Sequence, residues 1–321
     1  MLTPVKCALK TMERCIPNSL ELSLYNKYIC CIIKGMRYTY KRFAAEFPND
    51  DVCLDAIFQM RYGDVTTCPR CGVIDTKFYR VRGRKCYACK HCGYQLHPLA
   101  QTIFHKSDTP LTSWFYVMYQ VSVAKNGVSA KEIVRHLGVG YKTAHRMLHK
   151  IRSLMQQGGD MLSGIVEIDE TYIGGKHKHK YGYSKKQAVF GAVERAGHIK
   201  ATHVRSTGAR VLLPLIEEKI TPGAQVYSDE YRAYSTLERR GYPHATVTHS
   251  SFEWANGDTH TNTIEGFWGQ LKRSISGTYH CVSPQHLQAY VDEFVFRYNF
   301  RGVAVYPVLL ELAAKPVLTK S

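Results

Sequence analysis

The chain has 321 residues, 45% of them hydrophobic, enough for two or three domains with sizeable cores, which excludes a wholly disordered protein. Lys and Arg number 43 against 26 Asp and Glu, a net charge of +17; residues 1–160 hold 24 basic and 11 acidic side chains, and 161–321 hold 19 and 15. A front half so basic points to a polyanion, nucleic acid before an anionic membrane, because the charges are scattered and not lined along one amphipathic helix. The longest uncharged run, Thr109–Ala124, is 16 residues broken by Thr, Ser and Gln, so it reads as a buried helix and no membrane association is expected. Eleven cysteines, an odd number, in a chain without a signal peptide argue for a reducing cytoplasm, where thiols are free or bind metal.

In chain order, residues 1–35 show no sustained periodicity and read as a poorly structured or misassigned extension, with Met36 a plausible start. A helical segment, 36–66, opens with Tyr38–Phe47, and Pro48-Asn49-Asp50-Asp51 caps the next helix, Val52–Met60. Within 67–98 stand two Cys-x-x-Cys-Gly knuckles, Cys68/Cys71 and Cys89/Cys92, 17 residues apart. Four thiolates suit one structural Zn²⁺ in a closed tetrahedron. The glycine after each second cysteine permits the positive φ that turns backbone amides toward sulfur, which favours Cys89/Cys92 over Cys86/Cys89. The ribbon's loop carries Arg82 and Arg84 among its basic residues and suits phosphate binding.

The region 108–157 contains a helix–turn–helix pattern. Ser129 and Glu132 form a capping box, Ile133, Val134 and Leu137 an inner face, and Gly138 the turn. The second helix turns Tyr141, Lys142, His145 and Arg146 outward, toward a DNA groove or its phosphates.

From Ser163 the period becomes strand-like, and a domain spanning 163–303 follows, with 304–321 a C-terminal tail. Its elements read as Gly164–Ile173, a hairpin of Gln187–Glu194 and His198–Arg205, helix Ala209–Ile220, strand Gln225–Ser228, helix Glu230–Arg240, strand Ala245–Thr248, helix Asn262–Ile275 and helix Gln285–Arg297. The order βββαβαβα is a ribonuclease-H-like topology, a mixed five-stranded sheet with flanking helices, so the whole chain is expected to be multidomain, α+β and α/β.

Asp169 lies in the first strand, Asp229 follows the strand before Glu230, and Glu265 sits in the first turn of the Asn262 helix. Three carboxylates brought together raise one another's pKa unless cations neutralise them, and oxygen-only ligands suit two Mg²⁺ or Mn²⁺ ions. The competing readings are local: Asp229 as a cap for the following helix, Glu265 as partner of Asn262 in a capping box. Glu167, Glu170 and Glu230 are near neighbours that compete as ligands.

The strings Val166-Glu-Ile-Asp169-Glu-Thr-Tyr-Ile-Gly-Gly175, Tyr227-Ser-Asp229 and His260-Thr-Asn-Thr-Ile-Glu265-Gly-Phe-Trp-Gly-Gln-Leu-Lys272-Arg273 resemble DDE transposases of bacterial insertion sequences, in the subgroup with an N-terminal zinc ribbon. Gly277-Thr-Tyr-His280 and Glu293-Phe-Val-Phe-Arg-Tyr-Asn299 extend the likeness, which covers residues 36–303. By resemblance the catalytic acids are Asp169, Asp229 and Glu265, with 35 residues between the last two. Lys272 lies seven residues after Glu265 on the same helix face and, with Arg273, is placed to hold a phosphate beside the metals. The resemblance implies hydrolysis at an element's ends, then attack of the freed 3′-hydroxyl on target DNA, by a homo-oligomer on double-stranded DNA. A zinc-dependent regulator without catalysis and a stand-alone metal-dependent nuclease are the rivals. His177 and His179 read as part of a basic loop.

Overall fold

Residues 38–174, 186–247 and 260–317 are described by a computed structural model. The extension before Met36 and the His177/His179 loop lie outside them. The described chain divides into two compact units: residues 155–303, and those up to Leu154 together with those from Ala304 onward.

In the N-terminal unit the capping signals act where the sequence puts them. Thr39 accepts from Arg42 N ahead of α1 (Tyr40–Glu46), and Asn49 Oδ1 from Val52 N ahead of α2 (Asp50–Tyr62), which buries Cys53, Leu54, Ile57 and Phe58 at helical spacing. Three short antiparallel strands, β1 (Phe78–Arg80), β2 (Tyr87–Cys89) and β3 (Gln95–Leu96), form the ribbon. The uncharged run becomes α3 (Leu111–Val123), buried on most sides, its first amides capped by Asp50, which accepts from Leu111 N and Thr112 N. A helical hairpin of α4 (Ala130–Leu137) and α5 (Tyr141–Ser153) turns at Gly138, whose φ of 65° is the left-handed conformation expected there. Ser129 Oγ accepts from Glu132 N, as the capping box requires.

The second unit is built on a five-stranded mixed sheet of β4 (Ile165–Ile173), β5 (Gln187–Glu194), β6 (Ile199–Val204), β7 (Gln225–Asp229) and β8 (His244–Val247), in the order β6-β5-β4-β7-β8. The first three pair antiparallel, and β4–β7 and β7–β8 pair parallel. Strand periodicity gives each face its own core. Val166, Ile168 and Phe190 pack with Leu212 and Ile216 of α6 (Ala209–Lys219). On the other face Val189 and Val193 pack with Ile264 and Trp268 of α7 (Asn262–Ser274) and with Val291 and Phe294 of α8 (Pro284–Asn299).

Two expectations are corrected. Residues 230–240 do not form an α-helix; two 3₁₀ turns, Arg232–Tyr234 and Glu238–Arg240, stand there. Tyr234 N, Leu237 N and Arg240 N each bond three residues back, which puts Tyr234 and Leu237, i and i+3, into the core together. Residues 304–321 are not simply a tail: α9 (Val305–Ala314) buries Tyr306, Val308, Leu309 and Leu310 in the N-terminal unit. Pro307 is tolerated because it falls in the first turn.

Candidate active site and metal centre

Each knuckle of the ribbon is a tight turn closed by an amide-to-carbonyl bond, Gly72 N to Cys68 O and Gly93 N to Cys89 O, both 3.0 Å. Gly72 and Gly93 have φ of 68° and 71°. The Sγ atoms of Cys68, Cys71, Cys89 and Cys92 lie within 4.8 Å of one another, with Cys68–Cys92 at 3.7 Å and Cys71–Cys89 at 3.9 Å. A zinc ion with bonds near 2.3 Å sets its sulfurs about 3.8 Å apart, so the four thiols fit Zn²⁺. Cys86 stands outside the group, its thiol directed at Gln95 Oε1, 3.5 Å away. The Thr76 hydroxyl, 3.4 Å from Cys89 Sγ, lowers that thiol's pKa toward the thiolate a metal needs. Among the described residues no other set of three or more Cys, His, Asp or Glu gathers this tightly.

The acids of the second unit assemble more openly. The β4–β7 ladder pairs Val166 with Val226 and Glu167 with Tyr227. Asp169 and Asp229 stand two residues further along their strands, so the same register carried on would set them side by side on one face of the sheet. Asp169 accepts from Glu170 N at 2.8 Å and from the Trp268 indole at 3.0 Å, with no lysine or arginine hydrogen-bonded to it among the described residues. Burial first, then the charges of Asp229 and Glu265, push its carboxyl up to about 6, against the pull of those two hydrogen bonds. Asp229 Oδ1 accepts from Tyr231 N at 3.0 Å, and the Thr261 hydroxyl donates to Glu265 Oε1 at 3.0 Å. Burial also pushes Glu170 up to about 7, opposed by a hydrogen bond from Tyr234, with Asp169 and Asp229 adding to the rise. Oxygen donors crowded in this way fit a hard divalent ion.

The helix bearing Glu265 is docked by groups that spacing alone did not single out. Glu167, on the Asp169 face of β4 and wholly buried, accepts from Thr263 N at 2.9 Å and Ile264 N at 3.2 Å through Oε2. Its Oε1 accepts from Thr263 Oγ1 at 2.9 Å and Arg195 Nε at 3.0 Å. Arg195 also donates to His260 O at 3.1 Å and lies over the Tyr227 ring at 4.9 Å. Further along the helix, Trp268 reaches Asp169 because Gly191, paired with Asp169 across β4–β5, leaves room for its ring. The string that begins at Val166 is therefore pressed, through Glu167 and Asp169, against the string His260–Arg273.

Lys272 and Arg273 are exposed on α7, and Glu265 shares that exposed side. Arg273 donates to Gln270 Oε1 at 3.3 Å. In the other unit Tyr141, Lys142 and Arg146 are exposed and His145 half-buried, its ring 6.1 Å from that of Tyr141. Arg82 and Arg84 are exposed in the β1–β2 turn, whereas Arg80 is held by Asp51 at 3.2 Å.

Two domain families match the chain: a transposase zinc-ribbon domain over residues 48–95 and an ISXO2-like transposase domain over residues 161–299. An uncharacterized transposase-like protein of Haemophilus influenzae is 30% identical over 96 residues, covering 30% of this chain and 76% of that one. An uncharacterized protein in transposable element ISH50 of Halobacterium salinarum is 27% identical over 273 residues, 78% of this chain and 91% of the other. A four-thiol ribbon ahead of a mixed-sheet unit with clustered acids is thus the make-up of a transposase. The chain belongs to the IS1595 family of zinc-ribbon DDE transposases. No helix among the described residues is long and apolar enough to cross a membrane.

Proposed function

We propose that this transposase cuts the ends of its element and joins them to target DNA with a ribonuclease-H-like catalytic unit whose metal ligands are Asp169, Asp229 and Glu265. The observation that carries the reading is the parallel register of Glu167 with Tyr227, which, carried two residues on, brings Asp169 and Asp229 side by side beyond the end of the ladder, where the charges of Asp229 and Glu265 help to raise the Asp169 carboxyl. A pair of Mg²⁺ or Mn²⁺ ions held there would supply charge neutralisation at the attacking and leaving oxygens of a phosphodiester. The chain's own part is to fix the ligands. Trp268 and the Glu170 amide orient Asp169, the Tyr231 amide orients Asp229, and Thr261 orients Glu265. Lys272, with Arg273, holds a phosphate. Ribbon and hairpin grip the element's ends, Arg82 and Arg84 on phosphates and Tyr141, Lys142, His145 and Arg146 in a groove, the hairpin acting as a helix–turn–helix. Joining two ends needs two active sites, which supports a homo-oligomer on DNA, working in the cytoplasm.

The test uses Asp169→Ala, Asp229→Ala, Glu265→Gln and Glu230→Gln on complexes pre-formed with element ends. The first three should lose cleavage and joining yet keep end binding, and Glu230→Gln should keep both. Cleavage that survives Glu265→Gln and vanishes in Glu230→Gln refutes the assignment.

A further inference from the structure

We infer that Glu167 is a positioning residue: its buried carboxylate clamps the first turn of α7 to β4 and so sets Glu265 relative to Asp169. The inference rests on the reading of those two acids as metal ligands. Its argument begins with saturation. Four donors from the protein fill the two oxygens of Glu167, at 2.9, 3.0, 2.9 and 3.2 Å, and the side chain is wholly buried. A carboxylate so engaged has no oxygen to offer a metal. Arg195 also neutralises it, its Nε 3.0 Å from Oε1.

The donors show what the clamp holds. Thr263 N and Ile264 N belong to the first turn of α7, whose amides have no partner within the helix. Thr261, the residue at the cap, does not serve them; its hydroxyl is engaged with Glu265. A negative charge from another strand completes the helix instead, at the end where the helix dipole favours it. Glu265 follows Thr263 by two residues, and Asp169 follows Glu167 by two, so both acids are reached from the clamp by short stretches of regular backbone. Arg195 adds a third tie, through His260 O to the entry of α7 and through the Tyr227 ring to the strand that ends at Asp229. His260 Nδ1 lies 3.3 Å from Glu167 Oε1, at the same junction. One ion pair, with Glu167 its buried half, thus meets the three elements that carry the three acids.

The test compares the full-length protein with Glu167→Gln, Thr263→Val and Glu265→Gln. In metal-free Glu167→Gln the amides of Thr263 and Ile264 should exchange hydrogen about tenfold faster. Mn²⁺ binding, followed by titration without DNA, should weaken about 10- to 100-fold, and the Mg²⁺ concentration for half-maximal cleavage should rise by a similar factor. A role confined to stability would lower the folded fraction and leave the metal constants of the folded protein unchanged. Folded Glu167→Gln with native Mn²⁺ affinity and Mg²⁺ dependence overturns the inference. Should that variant not fold, Thr263→Val removes one of the four bonds and should weaken Mn²⁺ by about threefold; native affinity there overturns it equally. Glu265→Gln separates the two failures. If it binds Mn²⁺ as the native protein does, the metal-ligand reading falls and takes the clamp with it. If it binds weakly while Glu167→Gln is native, the clamp alone is wrong.

Discussion

Alanine at position 191 would place one methyl group against the ring that holds Asp169. A Cβ built on Gly191 meets Trp268 Cη2 and Cζ2 at 2.6 Å and Ile264 Cδ1 at 3.0 Å. Carbon atoms rest at about 3.5–4.0 Å, so the indole must withdraw by roughly 1 Å. Its Nε1–Oδ2 bond to Asp169, now 3.0 Å, would then stretch past the useful range for a hydrogen bond. Overpacking of this kind costs about 1–3 kcal/mol. A ligand misplaced by about 1 Å can lower turnover on the order of 100-fold. Chemical denaturation should therefore show Gly191→Ala destabilised by about 1–3 kcal/mol, and cleavage of pre-formed end complexes should be at least tenfold slower. The double variant Gly191→Ala/Trp268→Phe separates the two effects: the smaller ring relieves the clash but donates nothing, so stability should recover and activity should not. The reasoning is refuted if Gly191→Ala keeps native stability and native turnover, or if the double variant recovers both.

Three other outcomes are expected. The purified protein should carry about one zinc per chain, lost on Cys92→Ser and kept on Cys86→Ser; metal analysis of the two decides it. Asp169, raised from the usual 3.8 to about 6, favours its protonated form in the fold. The stability it contributes is complete below 3.8 and lost as pH rises through about 6, so the metal-free protein should lose stability relative to Asp169→Asn across that window, while Mn²⁺ binds more tightly. A constant difference between the two melting curves from pH 4 to 7 would contradict this. Finally, Lys142→Ala and Arg146→Ala should each narrow the preference for an element end over random DNA by about tenfold, with a steep salt dependence throughout; an unchanged preference in binding assays would move sequence recognition away from α5.

What the sequence made legible was local. The two knuckles are declared by spacing and by the glycines that follow Cys71 and Cys92, and the hairpin turn by Gly138. The helices 209–219 and 262–274 follow from their apolar spacing. The clamp was hidden because its partners are far apart: Glu167 and Thr263 are separated by 96 positions. A glutamate between Val166 and Ile168 in a buried strand was itself a signal, since such a charge needs a partner. Gly191, between apolar neighbours in β5, signalled a close approach without revealing Trp268 as its cause. The stretch 230–240 has the composition of a helix, yet burial of Tyr234 and Leu237 at i, i+3 spacing selects 3₁₀ turns, a preference decided by the core they enter.

The return of α9 to the N-terminal unit orders events during synthesis. Its Tyr306 ring lies 4.6 Å from that of Tyr38 and 5.8 Å from that of Phe43, so residues 305–314 close a core whose other walls are made first. Between Leu154 and that helix the ribosome must make about 150 residues, a delay of roughly 8–30 s. Throughout that interval the ribbon-bearing unit lacks the apolar wall that Tyr306, Val308, Leu309 and Leu310 supply. A chain that stalls or terminates within the catalytic unit never gains that wall. Completion of the earlier unit is in this way a check that the later one has been translated.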